Sequence, residues 1–489
     1  MTSTQETAVV DAVRKELFID GVWRPAEGGK VFDVEDPSTG KPLCSVADGS
    51  SADGFAALDA ATAAQASWAA TPPRERGEIL RRAYEKVVAR KDELGLLMTL
   101  EMGKPVAEAT GEILYAAEFL RWFAEEAVRV EGGYQTSADG KSRVMIMRQP
   151  VGPCLLITPW NFPTAMFTRK VAPALAAGCT AVFKPSEFTP LSALAMTEIF
   201  TEAGLPAGVL NVVPTTDAGG LMEPLIKDGR ARKLSFTGST AVGKKLLAQC
   251  ADNVMRTSME LGGNAPFIVF EDADVDQAVD GAMLAKMRNI GEACTAANRL
   301  YVHESVAEEF SRKLADKMGA LTVGRGVDDG VNVGPLINSQ AVEKVDRLVT
   351  DAVSKGATAV IGGQRGDGDG HFYPPTVLTD VPVDADLRRA EIFGPVAPIV
   401  TFGNEEELLE QANDTEYGLV TYVFTTNFAR ALRVCERLES GMVGLNQGIV
   451  ANAGAPFGGV KHSGLGREGG RLGIEEFLEV KYIATPNPH

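Results

Sequence analysis

The chain of 489 residues contains no run of about 18 uncharged apolar residues, the length needed to cross a bilayer, so no membrane-spanning helix is expected. Its first segment, Met1 to Arg14, lacks the basic start and apolar stretch of a signal peptide and reads as a frayed polar tail. Both absences suit a cytoplasmic protein. Cysteines are few and scattered: Cys44, Cys154, Cys179, Cys250, Cys294 and Cys435 form no CxxC pair. That pattern argues against a zinc site or a disulfide scaffold and for reduced thiols. The four histidines, His303, His371, His462 and His489, include no pair at ligand spacing, so no metal is expected. Positive charge is in deficit as well. At a net charge of −17 the chain would repel nucleic acid. Finally, no GxGxxG joins a strand to a helix, so the usual dinucleotide fingerprint is missing.

What is present is ordinary globular composition, 45% hydrophobic and 23% charged. At roughly 150 residues per domain the length allows about three domains, or two large ones with an extension. A strand-like run at Glu16 to Asp20 is followed by helical patterns over Asp53 to Trp68 and Arg74 to Glu101. Gly132 to Met147 reads as a polar hairpin turning at Asp139-Gly140, a projection of the kind that serves assembly. From Cys154 on, short apolar runs alternate with helices: Cys154 to Thr158, Thr180 to Phe183, Val209 to Val213 and Lys233 to Phe236. The alternation repeats at Pro266 to Phe270, Arg299 to Val302, Thr358 to Ile361, Ala397 to Thr401 and Thr421 to Thr425. Two α/β units, each a parallel sheet covered on both faces, are predicted.

Several segments carry chemistry. Phe236 to Lys244 follows a strand and opens a helix, so its N–H groups suit a phosphate, or Ser239 or Thr240 merely caps the helix. The GxxxxGK spacing from Gly238 to Lys244 imitates a P-loop, but Lys245 stands where a magnesium-holding hydroxyl is needed, which argues against NTP hydrolysis. Asp272, Asp274 and Asp276 imitate a calcium loop without its glycine and read as an acidic helix start. Cys294 lies in Asn289-Ile290-Gly291-Glu292-Ala293-Cys294-Thr295. It is either an inert core thiol or a nucleophile, and Gly291 with nearby helical patterns would put it at a helix start that lowers its pKa. Glu260, before Gly262-Gly263, is either a surface glutamate or a functional acid.

Seven ordered motifs together resemble the aldehyde dehydrogenase superfamily from about residue 16 to residue 484. They are Thr158-Pro159-Trp160-Asn161-Phe162-Pro163, Phe183-Lys184-Pro185, Phe236-Thr237-Gly238-Ser239, Glu260-Leu261-Gly262-Gly263, the Cys294 segment, Glu391-Ile392-Phe393-Gly394-Pro395 and Pro456-Phe457-Gly458-Gly459. The resemblance implies two Rossmann-type parallel-sheet domains and a small β oligomerisation element. Residues 1–128 and 148–258 would bind NAD(P), 259–440 would be catalytic, 129–147 and 470–489 would drive a homodimer or homotetramer, and 441–469 would return to line the substrate entrance. Cys294 would attack the aldehyde. Asn161 and the Cys294 N–H would hold the oxyanion, and Glu260 would activate the water that hydrolyses the thioester. Lys184 would bond the adenosine ribose and Glu391 the nicotinamide ribose, with Phe393 beside the nicotinamide. Trp160 and Ser239 would line the pyrophosphate path, and Ile157, Thr158, Ser186, Gly238 and Leu261 would complete the cofactor site. Glu187 would bond the ribose hydroxyls and favour NAD over NADP, although Lys184 nearby leaves NADP possible.

Within the superfamily the chain is most similar to succinate-semialdehyde dehydrogenases, through Phe167-Thr168-Arg169-Lys170, Lys286-Met287-Arg288-Asn289, Gly262 to Phe270 and Gly464 to Gly469. Arg169 and Arg288 would fork the substrate's distal carboxylate, or one of them is an ion pair. Phe162, Ala451 and Phe457 would complete the substrate site. The subfamily's hydroxyl is replaced by Ala451. Either Asn452 substitutes for it or the pocket takes another aldehyde, uncharged or aromatic. Ala296 occupies the position of a second cysteine and excludes a local disulfide switch. The other readings are a catalytically silent protein on this fold and a CoA-acylating enzyme, which Glu260 disfavours.

Overall fold

The computed structural model describes residues 3–366 and 368–488. Met1, Thr2 and His489, at the ends of the expected tail and of segment 470–489, lie outside the described residues. Two large sheets carry the fold. In the first, the order is Gly464–Leu465, Arg256–Glu260, Lys233–Thr237, Cys154–Ile157, Ala181–Lys184, Leu210–Val212, Leu17–Ile19 and Val22–Arg24. Its five central strands are parallel; Gly464–Leu465 and Leu17–Ile19 flank them antiparallel, and Val22–Arg24 pairs antiparallel with Leu17–Ile19 at the edge. The second sheet runs Thr358–Ile361, Thr376–Thr379, Val396–Phe402, Ala297–His303, Ala265–Val269, Val420–Phe424 and Met442–Leu445. Only its first strand is antiparallel. The purely parallel expectation is therefore corrected at the edges, where a strand needs no crossover helix. Gly133–Thr136, Ser142–Pro150 and the C-terminal Leu478–Pro486 form a separate three-stranded sheet.

The N-terminal segment is not a frayed tail. Ser3–Ala12 is a helix whose Val9 and Val10 are buried, and Glu6 pairs with Arg325 at 3.1 Å. The long pattern from Arg74 to Glu101 divides into two helices, Pro73–Ala89 and Lys91–Met102, with non-helical dihedrals at Arg90. Asp274 caps the helix Val275–Met287 by accepting from the Gln277 N–H, as the acidic start implied.

Two buried glutamates set the helices that border the site. The helices Pro163–Ala177 and Pro190–Glu202 both begin with proline and lack a side-chain cap of their own. Glu112 accepts from the Thr164 and Ala165 N–H groups at 3.1 Å each. Glu101 accepts from Leu191 and Ser192 at 2.8 Å each. These carboxylates satisfy donors that every helix start leaves open. Burial nonetheless pushes the Glu101 carboxyl up to about 8. Glu112 also pairs with the buried Lys104 at 2.5 Å, and Lys104 donates to the Asn161 carbonyl at 2.8 Å. The loop from Thr158 to Phe162 is thus pinned from below.

Candidate active site

Cys294 sits in a turn beyond the end of the helix Val275–Met287, not at a helix start. The expected lowering of its pKa does not occur. Burial pushes the thiol up to about 12, Glu391 and Glu260 push the same way, and Arg169 and Arg288 oppose them. The turn is built on three successive left-handed residues, Asn289 (φ 55°), Ile290 (φ 62°) and Gly291 (φ 78°). Such conformations cost roughly 1–3 kcal/mol for a non-glycine residue and persist only where the surroundings enforce them. Here the enforcement is explicit. The Asn289 N–H donates to Glu108 at 2.7 Å, and its amide donates to the Asn161 and Glu292 carbonyls at 3.1 and 2.8 Å. A Cβ on Gly291 would lie 2.2 Å from the Gly394 carbonyl, so only glycine fits. Tyr422 donates its hydroxyl to the Thr295 carbonyl at 3.0 Å on the other side of the nucleophile.

Asn161 is buried and donates one amide hydrogen to the Glu292 carbonyl at 2.9 Å. A primary amide has two, so one N–H is left over. The Cys294 N–H donates to no backbone acceptor among the described residues. Asn161 and Cys294 line one cavity of about 230 Å³ together with Gly238, Ser239, Leu261, Glu391 and Phe393. Trp160 meets Phe393 edge-on at 5.5 Å, and Glu391 is held by the Gly263 N–H at 3.0 Å. Lys344 lines the same cavity and no motif marked it; it arrives from the helix Ser339–Ser354, far away in sequence.

Glu260 ends the strand Arg256–Glu260 and is buried, which removes the surface reading. Burial raises its carboxyl well above the ordinary carboxylate range, and the neighbouring Glu468 raises it further. One of its oxygens has no hydrogen-bond partner in the chain. Glu468 in turn lies 2.6 Å from the Lys170 ammonium and 2.7 Å from Arg169, which hold it in the charged form.

A second cavity, of about 470 Å³, continues from the first along the Lys233–Thr237 edge. Ile157, Thr158, Trp160, Lys184, Ser186, Glu187, Gly238 and Ser239 line it. Ser239 does cap the helix Thr240–Ala251, accepting from Val242. Glu187 reaches Lys184 at 3.2 Å. Sequence reasoning missed the apolar wall of Met222, Val242 and Leu246, which no local pattern distinguishes from core.

A third cavity, of about 290 Å³, holds Phe162, Arg288 and Ala451, with Glu108 and Tyr115 beside them. The two arginines stand differently. Arg169 lines none of the three cavities. It is buried against Glu468 and stacks 4.0 Å over the Phe457 ring, so those two predicted substrate residues face each other. Arg288 is different. Its guanidinium lies 4.8 Å over Phe162 and 5.9 Å from the Tyr115 ring and forms no ion pair among the described residues. Asn452 does not replace the missing hydroxyl either. It is exposed, and its side-chain oxygen accepts from the Gly454 N–H at 2.8 Å.

Residues 23–483 match the model of the aldehyde dehydrogenase family. The chain belongs to this family. A succinate-semialdehyde dehydrogenase of Paenarthrobacter nicotinovorans is 60% identical over 447 residues, 91% of this chain and 99% of its own. The NADP(+) succinate-semialdehyde dehydrogenase GabD of Escherichia coli K12 is 49% identical, covering 96% of this chain and 97% of its own. The crystal structure of a succinate-semialdehyde dehydrogenase from Burkholderia pseudomallei superposes with a TM-score of 0.96 at 49% identity, over 97% of this chain and 98% of that one. As an aldehyde dehydrogenase the chain is an NAD(P)-dependent oxidoreductase of α/β fold.

Proposed function

We propose that this aldehyde dehydrogenase oxidises an acid semialdehyde of about the size of succinate semialdehyde, and releases the product by hydrolysis. The observation that carries the substrate class is Arg288: a guanidinium in no ion pair among the described residues, set between two aromatic rings in a cavity beside the nucleophile that Glu108 also lines. An unpaired cation there suits a distal carboxylate. Tyr115, in the same cavity, offers a hydroxyl where Ala451 has none. Replacing Arg288 with leucine should raise KM for succinate semialdehyde roughly 10- to 100-fold, the value of a hydrogen bond to a charged group. Steady-state kinetics with butyraldehyde, which has no carboxylate, should change little. An equal loss on both substrates would sink the reading.

The two cavities along the first sheet fit an NAD(P) cofactor. Buried Lys184 and half-buried Glu187 would bond the ribose hydroxyls in the larger cavity, and Glu391 would offer a carboxylate oxygen beside Phe393. When bound, NAD(P) accepts the hydride released from the substrate carbon. The chain supplies the rest. The Cys294 sulfur adds to the aldehyde carbon, and its proton passes to Glu260, whose raised carboxyl makes it a stronger base than an exposed glutamate. The spare Asn161 N–H and the Cys294 N–H hold the resulting oxyanion. Glu260 releases that proton to solvent and, again a carboxylate, deprotonates the water that opens the thioester, which favours hydrolysis over transfer to CoA.

We further infer a preference for NAD. The Glu187 carboxylate faces the adenosine cavity, and a 2′-phosphate there would meet a like charge, only partly offset by Lys184. The ratio of kcat/KM for the two cofactors checks this, and a higher value with NADP would refute it. Exposed Tyr134, Val480 and Tyr482 on the three-stranded sheet support a homodimer or homotetramer. Six free cysteines, none in a disulfide, fit the cytoplasm.

A further inference from the structure

Lys286 stands on the last turn of the helix Val275–Met287, fully buried, immediately before the nucleophile turn. Its ammonium donates to the Asn298 side-chain oxygen at 3.0 Å and to the Gly394 carbonyl at 3.4 Å. Asn298 is the second residue of the strand Ala297–His303, which follows the same turn. One ammonium therefore bridges both stems of the segment that carries Cys294. Its second acceptor, Gly394, is the carbonyl against which Gly291 packs and the neighbour of Phe393, itself left-handed at φ 58°. Both acceptors are neutral. A buried ammonium with neutral partners is a poor way to fill space, because an apolar side chain would avoid its desolvation. The opposite charge that does act on it is Glu391.

We infer that Lys286 is a positioning residue, which clamps the Cys294 turn to the Glu391–Gly394 loop and supplies the positive charge that Glu391 faces. This rests on the reading of Glu391 as the contact to the cofactor's ribose. A carboxylate accepts two ribose hydroxyls, whereas a carboxylic acid accepts less well and must place its own proton. Burial raises the Glu391 carboxyl, while the Gly263 N–H, Lys344 and Lys286 act against that rise. Lys344, from the helix Ser339–Ser354, faces Arg347 and Glu292 as well, so its charge is shared. Among the described residues, Lys286 has Glu391 as its one charged partner. The same burial that makes its charge effective lowers its own pKa to about 7.

The test is cofactor binding against pH, followed by quenching of tryptophan fluorescence with NAD. In the intact protein, affinity falls on the acid side as Glu391 takes up a proton. Lys286→Met removes the clamp and the charge together. Lys286→Gln keeps hydrogen-bond donors for Asn298 and Gly394, so it guards against a folding failure while still removing the charge. Both variants should shift the acid midpoint upward by about one pH unit, which weakens NAD binding about tenfold within that window. A purely structural lysine would lower thermal stability and leave the midpoint where it was. An unchanged midpoint in the glutamine variant overturns the inference. Glu391→Gln separates the two readings: it should abolish the acid limb altogether. If Glu391→Gln binds NAD like the parent, it is the ribose assignment that fails.

Discussion

Replacing Cys294 with alanine should lower NAD(P)H formation about ten-thousandfold or more, the scale seen when a covalent nucleophile is deleted. The variant should still bind NAD(P) and fold, because the thiol makes no hydrogen bond that holds the turn. That turn is fixed by Glu108, Asn161 and Tyr422 instead. The reason for so large an effect is chemical. A free aldehyde is a poor hydride donor, and only the tetrahedral adduct on sulfur makes the carbon electron-rich. The half-buried thiol, pushed up to about 12 by desolvation, also implies that the resting form is protonated. The rate of adduct formation should therefore rise with pH in stopped-flow measurements. Equal turnover by the alanine variant would end the mechanism.

The second large effect is expected at Glu260. Its replacement by glutamine keeps the shape and removes the base, and general-base losses of about 100- to 10,000-fold are typical. The sign of the pH dependence follows from the same carboxyl. Its pKa lies well above the ordinary carboxylate range, and only the deprotonated form can accept a proton. Activity of the parent protein should therefore fall as pH drops through that raised pKa, giving an acid limb at higher pH than a surface glutamate would produce. In Glu260→Gln the limb should vanish. A burst of NADH followed by near-zero steady turnover would place the loss at thioester hydrolysis. Retention of both the limb and full turnover would remove Glu260 from the mechanism.

How much of this was legible follows the range of the interactions. The central strands were readable because burial on both faces leaves short apolar runs between helices, and Ser239 and Asp274 were readable as caps because capping is decided within three residues. The left-handed turn was readable at Gly291 alone, since Asn289 and Ile290 adopt that conformation only under tertiary constraint. The strands Thr376–Thr379 and Met442–Leu445 were not read as strands, the first being bracketed by threonines and the second interrupted by Gly444. Ser3–Ala12 is polar enough to read as a tail, and two buried valines make it a docked helix.

Sequence by itself determined the two α/β units, the Cys294, Glu260 and Asn161 motifs and the absence of a GxGxxG cofactor loop, all carried by neighbours close in the chain. Charge placement was decided only by tertiary structure. Lys170 and Glu468 meet across 298 residues, and the Glu468 carboxylate raises the carboxyl of Glu260 while Lys170 acts against that rise. Arg169 pairs with the same Glu468, while Arg288 lies over the Phe162 ring and forms no ion pair among the described residues. The Cys294 thiol, expected to be acidic at a helix start, is instead made weakly acidic by burial in a turn. Desolvation and pairing depend on what the folded chain brings within a few ångströms, and residue types alone do not specify that.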